Sequence, residues 1–479
     1  MNASLFPRSE WFLRQLWSAA QGAPDCCDAV DFSGSGDLPS VYAVSDLAAG
    51  SVAAAMLALS EWRAPSHGSL GRVEVDRRLA SMWFASSLRP MGWALPPVWD
   101  AIAGDYRASD GWIRLHTNAP HHRQAALAVL GVPAERDAVA NAVATWSAEA
   151  LERAVVAANG CAAVMRSHQA WHEHPHGHTL DQAPLLACRQ FANSLSSRAQ
   201  CDDKRPLTGI RVLDLTRIIA GPVATRFLAA AGADVLRIDP PNWHEPGAEE
   251  ELTWGKRTAR LDLKTPAGLA TLTDLMAEAD VLVHGYRSDA LDGLGLGEAR
   301  RRAVNPGLVE VALDAYGWDG PWATRRGFDS LVQMSCGIAE AGMRLMERER
   351  PTPLPVQALD HAAGYLLACA ALRGLSERRQ SGQGWQARTS LASVAELLKA
   401  AGPCDPTLPG FGAETEVDLA EGIEHTGWGP ARRLRPPAAL TGVDWYGALP
   451  ARPLGSDQPY WLSQTTAPAS NVCSQSINN

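Results

Sequence analysis

Five histidines fall within eleven residues of the sequence, and imidazoles at such close spacing can bind Zn²⁺ or Ni²⁺. They are His168, His172, His174, His176 and His178. Pro175 and Gly177 interrupt the run, so a regular helix cannot align the rings on one face. We therefore expect a structural or adventitious cluster and no metal site, with metal binding as the open alternative.

Two aspartates occupy matching positions in two similar stretches of sequence. Asp46 lies in YAVSDLAAG and Asp360 in VQALDHAAG, and an Ala/Leu-rich segment follows each of them. A Leu-Ala pair comes later in both copies, with Leu79 33 residues after Asp46 and Leu391 31 residues after Asp360. The similarity indicates a duplicated unit, and chance similarity of Ala-rich helices is the alternative. From the residues alone, an aspartate at this position suits a helix N-cap.

Residues 207–238 predict a strand, a helix and a second strand. The apolar run 212–215 is typical of a strand in a parallel sheet. Pro222 suits the first position of a helix, and Gly232 suits its end. The second strand is expected over 234–238. In such βαβ units ligands bind at the carboxyl ends of the strands.

The following hundred residues continue this alternation of strand and helix. Further strands are predicted over 259–264, 280–284 and 308–314, and a helix capped by Thr265 lies between the first two. The pattern predicts an α/β fold with a doubly wound parallel sheet. No G-x-G-x-x-G motif follows the first strand, which argues against a pyridine dinucleotide as the ligand.

With 479 residues the chain is too long for one ordinary core, so we expect several domains. The predicted segments are a lead-in with the first aspartate helix (1–99), a small α+β module (100–185), a polar linker (186–206), the parallel-sheet domain with the second aspartate helix (207–400), and a Pro/Gly-rich C-terminal extension and tail (401–479).

Composition and charge exclude several classes of function. The net charge of −9 offers nothing to attract nucleic acid, and the nine cysteines contain no C-x-x-C pair. Cysteine usage favours a reducing, cytoplasmic location. The N-terminal residues 1–14 lack the apolar core of a signal peptide, and the most apolar window, 47–59, is too short to span a bilayer.

The motifs of the parallel-sheet domain together resemble those of the class III CoA-transferases, the CaiB–BaiF family. They follow the family's order and spacing from about residue 207 to 395, and they are Leu207–Leu215, Ala220–Pro222, Gly232–Ile238, Gly255–Thr258, Leu261–Pro266, Asp280–Val283, Asn305–Pro306 and Tyr316–Pro321. Residues 36–185 resemble the later part of the same family. The chain thus resembles the middle of two fused partial copies with one Rossmann-like CoA-binding sheet.

The resemblance implies transfer of CoA from an acyl-CoA to a free carboxylic acid. In the family an aspartate attacks the thioester, and the reaction passes through an aspartyl anhydride and an aspartyl-CoA thioester without a metal. Asp360 matches this aspartate, and the nucleophile and helix-cap roles are compatible. Asp46, which has no CoA sheet in its own copy, is expected to be mainly structural.

The resemblance also implies contacts with CoA at the ends of the strands. Leu261–Lys264 would line the adenine and phosphate region, Tyr286 could stack on adenine, and the segment 326–329 would approach the pantetheine arm. The expected contact residues are Ile218, Ile219, Ala220, Leu261, Asp262, Leu263, Lys264, Gly285, Tyr286, Arg287, Arg326 and Asp329.

Several positions depart from the family's pattern. His284-Gly285 replaces a frequent Glu-Asn pair, and Gly293 replaces an arginine of some members. Phe328 stands where the related α-methylacyl-CoA racemases carry their histidine, which argues against racemase activity. A non-catalytic CoA-ester-binding protein or partner subunit is the remaining alternative. The acyl donor, the acceptor acid and the choice between a homodimer and an internally interlocked monomer stay open.

Overall fold

A computed structural model of the chain describes residues 6–191 and 202–462. Its strands are β1 (Val30–Ser33), β2 (Val73–Asp76), β3 (Leu88–Pro90), β4 (Gly104–Arg107), β5 (Trp112–Leu115), β6 (Ala162–Val164), β7 (Ala187–Phe191), β8 (Arg211–Leu215), β9 (Asp234–Asp239), β10 (Arg257–Arg260), β11 (Val281–His284), β12 (Val309–Asp314), β13 (Gly384–Ser390), β14 (Glu424–Thr426), β15 (Gly429–Arg433) and β16 (Ala438–Leu440).

Its helices are α1 (Pro7–Ala19), α2 (Val44–His67), α3 (Arg77–Trp83), α4 (Pro120–Leu130), α5 (Arg136–Val143), α6 (Ala148–Ala157), α7 (His168–Glu173), α8 (Pro175–Leu180), α9 (Ala220–Ala230), α10 (Glu249–Leu252), α11 (Pro266–Glu278), α12 (Ala290–Gly293), α13 (Glu298–Val304), α14 (Asp329–Ser335), α15 (Ile338–Leu345), α16 (Ala358–Ser381) and α17 (Leu391–Ala400). Short 3₁₀ helices span Pro24–Ala29 and Glu416–Asp418.

The largest sheet has seven strands in the order β10–β9–β8–β11–β12–β13–β7. All neighbours pair in parallel except β13 and β7, which are antiparallel. The chain winds from β8 outward to β10 and then returns to place β11 on the other side of β8. The carboxyl ends of β8 and β11 therefore form a topological switch point, where ligands bind in open α/β sheets. The predicted doubly wound α/β fold is confirmed.

Both faces of this sheet are covered by helices because alternate residues of a strand point in opposite directions. Val212 and Val235 pack in the core that contains α9 and α16. Leu213 and Leu236 pack on the opposite face, against residues of α11. The central strands are consequently apolar on both faces, as parallel strands buried between two helix layers require.

A small α+β module precedes this sheet in the chain. Its antiparallel sheet β4–β5–β6 packs with α4, α5 and α6 around Ile113, Leu115 and Leu151. Ser147 caps α6 by accepting a hydrogen bond from the backbone N–H of Ala150. The structure thus has the predicted helix and cap in this part of the chain.

The two predicted aspartate helices are a matched pair. Helices α2 and α16 each have 24 residues, and the aspartate is the third residue of each. Each helix ends at a glycine with positive φ, Gly68 at +77° and Gly382 at +72°, a conformation that glycine adopts without strain. A strand and a second helix then follow in both copies: β2 and α3 in the first, β13 and α17 in the second.

The helix starts correct the alignment of the two copies. Helix α3 begins at Arg77, 31 residues after Asp46, and α17 begins at Leu391, 31 residues after Asp360. Arg77 and not Leu79 is therefore the counterpart of Leu391, and the spacing is equal in both copies. The sequence-based alignment is wrong by two residues because it rested on the Leu-Ala pairs.

The duplication extends to the helix that packs on each aspartate helix. Gly50 of α2 lies against α1, where an added Cβ would stand 2.5 Å from Phe12 Cβ and 3.0 Å from Leu13 N. Gly364 of α16 lies against α9, where an added Cβ would stand 2.4 Å from the carbonyl oxygen of Ala220. Helix α1 is therefore the first-copy counterpart of α9.

Helix α2 is a core helix of this protein. By length and composition it could cross a membrane, but 94% of its most apolar window is buried in the interior, against α1 and α16. The sequence suggests a shorter apolar segment because only 13 residues, 47–59, form the most apolar run.

Two segment boundaries differ from the prediction. Residues 187–191 of the predicted linker form β7 at the edge of the large sheet, and residues 192–201 lie outside the described residues. The predicted C-terminal extension contributes β16 to a sheet with β1 and β2, and β15 pairs with β3. The extension thus completes the first copy, while the tail from 463 to 479 lies outside the described residues.

Candidate active site

A cleft of about 350 Å³ opens at the topological switch point, and we call it the switch-point cleft. Its walls come from the ends of the central strands, the start of α9 and α16, the loop before α14, and the first turn of α4. They include residues 215–218, 220–221, 285–287, 313–315 and 325–328, together with His121, His122, Trp243, Ala290, Asp360 and Leu391. The cleft joins the small module to the parallel sheet.

Asp360 is the acidic residue of α16 that lines this cleft. It is only 8% exposed, and its backbone N–H donates a hydrogen bond to Asp329 Oδ2 at 3.0 Å. Within residues 6–191 and 202–462 its carboxylate accepts no hydrogen bond and has no ion-pair partner. Burial, reinforced by the charge of Asp329, raises the pKa of Asp360 well above its usual value.

Asp329 supports Asp360 from the first position of α14. Burial raises its pKa to about 6, against the opposing effect of hydrogen bonds from the backbone of Asp360 and the side chain of Gln333. Two adjacent buried carboxyl groups repel each other when both are ionised, so the pair favours holding one proton.

Asp46 has the opposite environment in the first copy. Arg77 approaches it with Nε 2.9 Å from Oδ1 and Nη2 3.2 Å from Oδ2, and Ser9 Oγ donates to Oδ1 at 2.6 Å. At the position of Arg77 the second copy has Leu391, which lines the switch-point cleft. The duplicated aspartate is thus neutralised by an arginine, whereas Asp360 faces a leucine and an open cleft.

Replacing Arg77 by Met is expected to destabilise the protein by about 3–5 kcal/mol, because Asp46 would stay buried without its cation. Arg72→Met is the matched control, since Arg72 makes an exposed ion pair with Asp31 and should cost below about 1 kcal/mol. Chemical denaturation of both variants measures the difference. Equal losses would show that the Arg77–Asp46 pair contributes no more than a surface pair.

The structure brings together about half of the predicted contact residues. Those that line the switch-point cleft with Asp360 are Ile218, Ala220, Gly285, Tyr286, Arg287 and Arg326. Ile219 and Asp329 neighbour these residues in the chain without lining the cleft. Leu261, Asp262, Leu263 and Lys264 form the loop after β10, at the same edge of the sheet but outside the cleft lining. Their contacts with CoA stay predictions.

The sequence analysis missed an arginine directly after β8. The Arg217 guanidinium carbon lies 4.7 Å from the ring centre of Trp243 and 5.4 Å from that of Tyr286, and Nη2 donates to the Tyr286 hydroxyl at 3.3 Å. The signal that could have found Arg217 is its place just beyond the first strand of the unit. Trp243 gives no such signal because it belongs to an irregular loop.

Ile218 holds an unusual backbone conformation beside this arginine. Its φ is +67°, which is a strained value for a β-branched residue. Its N–H donates to Glu245 Oε1 at 2.8 Å, and the Trp243 indole N–H donates to the same oxygen at 2.7 Å. Glu245 in turn pairs with the fully buried Arg237. This network fixes the loop that leads into α9.

Asp314 is a second carboxyl group in the cleft that the sequence analysis did not single out. It is the last residue of β12, and its Oδ1 accepts a hydrogen bond from the Gly317 N–H at 2.7 Å. Burial raises its pKa to about 7. The cleft therefore contains two carboxyl groups, Asp314 and Asp360, that burial drives toward the neutral form.

The histidine run plays structural roles in two places. His176 Nε2 lies 2.8 Å from the carbonyl oxygen of Tyr316, and its Nδ1 accepts from the Trp322 N–H at 3.2 Å. His168 is hydrogen-bonded to the Tyr42 hydroxyl at 2.8 Å. In the part of the chain that the structure describes, no group of three or more ligands is arranged to hold a metal.

Comparison with known proteins identifies the part of the chain that builds the cleft. Residues 207–431 match the family model of CoA-transferase family III. This part of the chain belongs to that family. The resemblance seen in the sequence motifs is confirmed, and the matched segment contains both Asp360 and most of the parallel sheet.

Relatives of the family III segment include enzymes named for CoA transfer. An acyl-CoA transferase of Gibberella moniliformis is 30% identical over 62% of this chain and 56% of its own length. The succinyl-CoA:glutarate CoA-transferase of Mus musculus is 30% identical over 39% of this chain and 45% of its own length. The chain thus spans about half the length of these relatives.

Among solved structures, a CaiB/BaiF family protein from Brucella suis is 25% identical, covers 47% of this chain and 65% of its own, and superposes with a TM-score of 0.38.

Proposed function

We propose that the protein transfers CoA from an acyl-CoA to a free carboxylic acid, with Asp360 as the nucleophile. The observation that carries this proposal is the unpaired Asp360 carboxylate at the switch-point cleft of a family III segment. The contrast with Asp46 supports it, because the same position in the first copy is neutralised by Arg77.

The proposed reaction begins with attack of an Asp360 carboxylate oxygen on the thioester carbonyl carbon. A C–O bond forms, the C–S bond breaks, and CoA leaves as a thiolate. The thiolate then attacks the aspartyl carbonyl carbon of the anhydride, which expels the acyl group as a free carboxylate and leaves aspartyl-CoA. The acceptor carboxylate attacks this thioester in turn, and the thiolate finally takes the acceptor acyl group, which restores Asp360.

The surroundings of Asp360 suit these steps. No proton is consumed overall, so the scheme needs an ionised carboxylate but no separate general base. Burial makes the Asp360 anion less stable than in water, which increases its tendency to form a covalent bond. The start of α9 lines the same cleft, and the unpaired N–H groups of a helix N-terminus favour the negative oxygen that develops at the thioester carbonyl.

Hydroxylamine trapping tests the proposal. The protein is incubated with a panel of acyl-CoA esters, hydroxylamine is added, and peptides are analysed by mass spectrometry. We expect a hydroxamate at Asp360 and none at Asp46, which serves as the internal control. Acyl-CoA binding without modification of Asp360 by any ester would contradict the transferase mechanism and support a non-catalytic CoA-ester-binding protein.

A further inference from the structure

Three basic side chains from three different elements meet at the switch-point cleft. Arg217 follows β8, Arg326 belongs to the loop before α14, and His121 is in the first turn of α4 in the small module. Their proximity is visible in the charge of the two arginines, which acts with burial to lower the pKa of His121. The three groups form what we call the basic cluster of the cleft.

The basic cluster lacks a compensating carboxylate. Within the two described ranges, 6–191 and 202–462, neither arginine of the cluster forms an ion pair. Arg217 bonds only to the Tyr286 hydroxyl, and Arg326 Nη1 bonds to Asn159 Oδ1 at 3.2 Å. Like charges held together without a counter-charge cost free energy, and a bound anion would remove that cost.

The stacking of Arg217 leaves its hydrogen-bonding edge available. Trp243 and Tyr286 contact the faces of the guanidinium, and a guanidinium stacked in this way still presents donors in its own plane. Its Nε is buried and has no hydrogen-bond partner in the described part of the chain. A planar, fixed donor set of this kind matches phosphate or carboxylate oxygens.

We propose that Arg217, Arg326 and His121 form a subsite for an anionic group of the substrates that does not itself react. The chemistry fits either a phosphate of CoA or a second carboxylate on the acid, and the inference rests on the proposed CoA transfer. Because His121 belongs to the small module and Arg217 to the sheet, a bound anion would also hold these two parts of the protein together.

Calorimetric binding of two probes tests the subsite without requiring turnover. The probes are 3′,5′-ADP, which carries CoA phosphates but no thioester, and glutarate, which carries two carboxylates. Arg217→Met and Arg326→Met should each weaken binding of one probe about 10-fold or more, the loss expected for a charge-assisted hydrogen bond. Arg217→Lys, which keeps the charge but loses the fork, should give an intermediate loss.

Arg153→Met is the matched control, because Arg153 is an exposed residue of the small module whose partner is Glu149 on the same helix. Weaker 3′,5′-ADP binding would identify a phosphate of CoA as the ligand, and weaker glutarate binding would identify a carboxylate. If Arg217→Met, Arg326→Met and Arg153→Met all bind both probes within about twofold of the unmodified protein, the subsite proposal is wrong.

Failure of the subsite and failure of the proposed function give different results. A lost subsite with intact trapping at Asp360 would leave CoA transfer standing. Intact probe binding that depends on Arg217, together with no trapping at Asp360, would leave an anion subsite in a protein that does not transfer CoA. Circular dichroism of each variant shows whether a loss reflects unfolding, and Arg217→Lys provides the second, milder variant for that case.

Discussion

Replacing Asp360 by Asn is expected to abolish CoA transfer and at the same time to stabilise the protein at neutral pH. The catalytic loss should be about 10³-fold or more in kcat, because an amide cannot form the anhydride and the acyl group then has no covalent route to the acceptor. Initial rates of CoA exchange between an acyl-CoA and an acid measure this loss.

The gain in stability follows from the raised pKa of Asp360. In the folded protein the carboxyl group keeps its proton to a higher pH than in the unfolded chain, so the folded state binds more protons as pH rises above the ordinary aspartate value. The unmodified protein therefore loses stability between that value and the raised pKa, and the loss is complete above it. An amide at this position does not ionise and carries no such penalty, so the advantage of Asp360→Asn should be larger at pH 8 than at pH 5.

Asp46→Asn is the matched control for both measurements. It removes the same charge at the same helix position, but it also removes the partner of the buried Arg77, so it should destabilise the protein while transfer continues in the folded fraction. Thermal melting of the two variants at both pH values gives the comparison. Destabilisation by Asp360→Asn at pH 8 would show that Asp360 is held by favourable contacts, as a purely structural cap would be.

The parallel sheet and Asp360 could be predicted because their signals are local. The apolar run at 212–215, the glycine at 232 and the family motifs each fit within one strand or turn, and the parallel pairing follows from their order. The short edge strand β7 could not be predicted, since its exposed positions carry polar residues such as Arg189 and Gln190 and its pairing partner lies in β13.

The difference between the two aspartates was not accessible from the sequence either. Asp46 and Asp360 lie in nearly identical local contexts, and what distinguishes them is whether Arg77 or Leu391 begins the helix 31 residues later. The Leu-Ala pairs displaced the alignment by two residues and hid that contrast. The basic cluster raises the same difficulty, because Arg217, Arg326 and His121 meet only through the packing of the small module on the sheet.

The duplication places α1 against α2 as α9 lies against α16, yet α9 alone follows a strand of the large sheet. The first copy keeps the helix pair and the aspartate but replaces the strand-and-cleft part with the short sheet formed by β1, β2 and the C-terminal β16. The helix contact at the base of the unit was therefore retained in both copies while the open cleft was retained in one. The two glycines at these contacts should separate stability from activity.

Gly364→Ala is expected to lower both stability and CoA transfer. The new Cβ would stand 2.4 Å from the carbonyl oxygen of Ala220, so α16 and the start of α9 must move apart, at a cost of about 1–3 kcal/mol or more. The displaced elements carry Asp360 and the N-terminal N–H groups of α9, and a shift of about 1 Å between such groups can reduce the rate about 10²-fold. Melting temperature and kcat of the folded protein provide the two measurements.

Gly50→Ala in the first copy is the matched control for this effect. Its Cβ would stand 2.5 Å from Phe12 Cβ and 3.0 Å from the Ser9 carbonyl oxygen, so a comparable loss of stability is expected. Because the overpacked helices there are α1 and α2, whose aspartate is paired with Arg77, the kcat of the folded Gly50→Ala protein should stay within about twofold of the unmodified value. Equal reductions of kcat in the two variants would mean that the first-copy helix pair also shapes the reacting site, and that Asp360 does not act in an independent cleft.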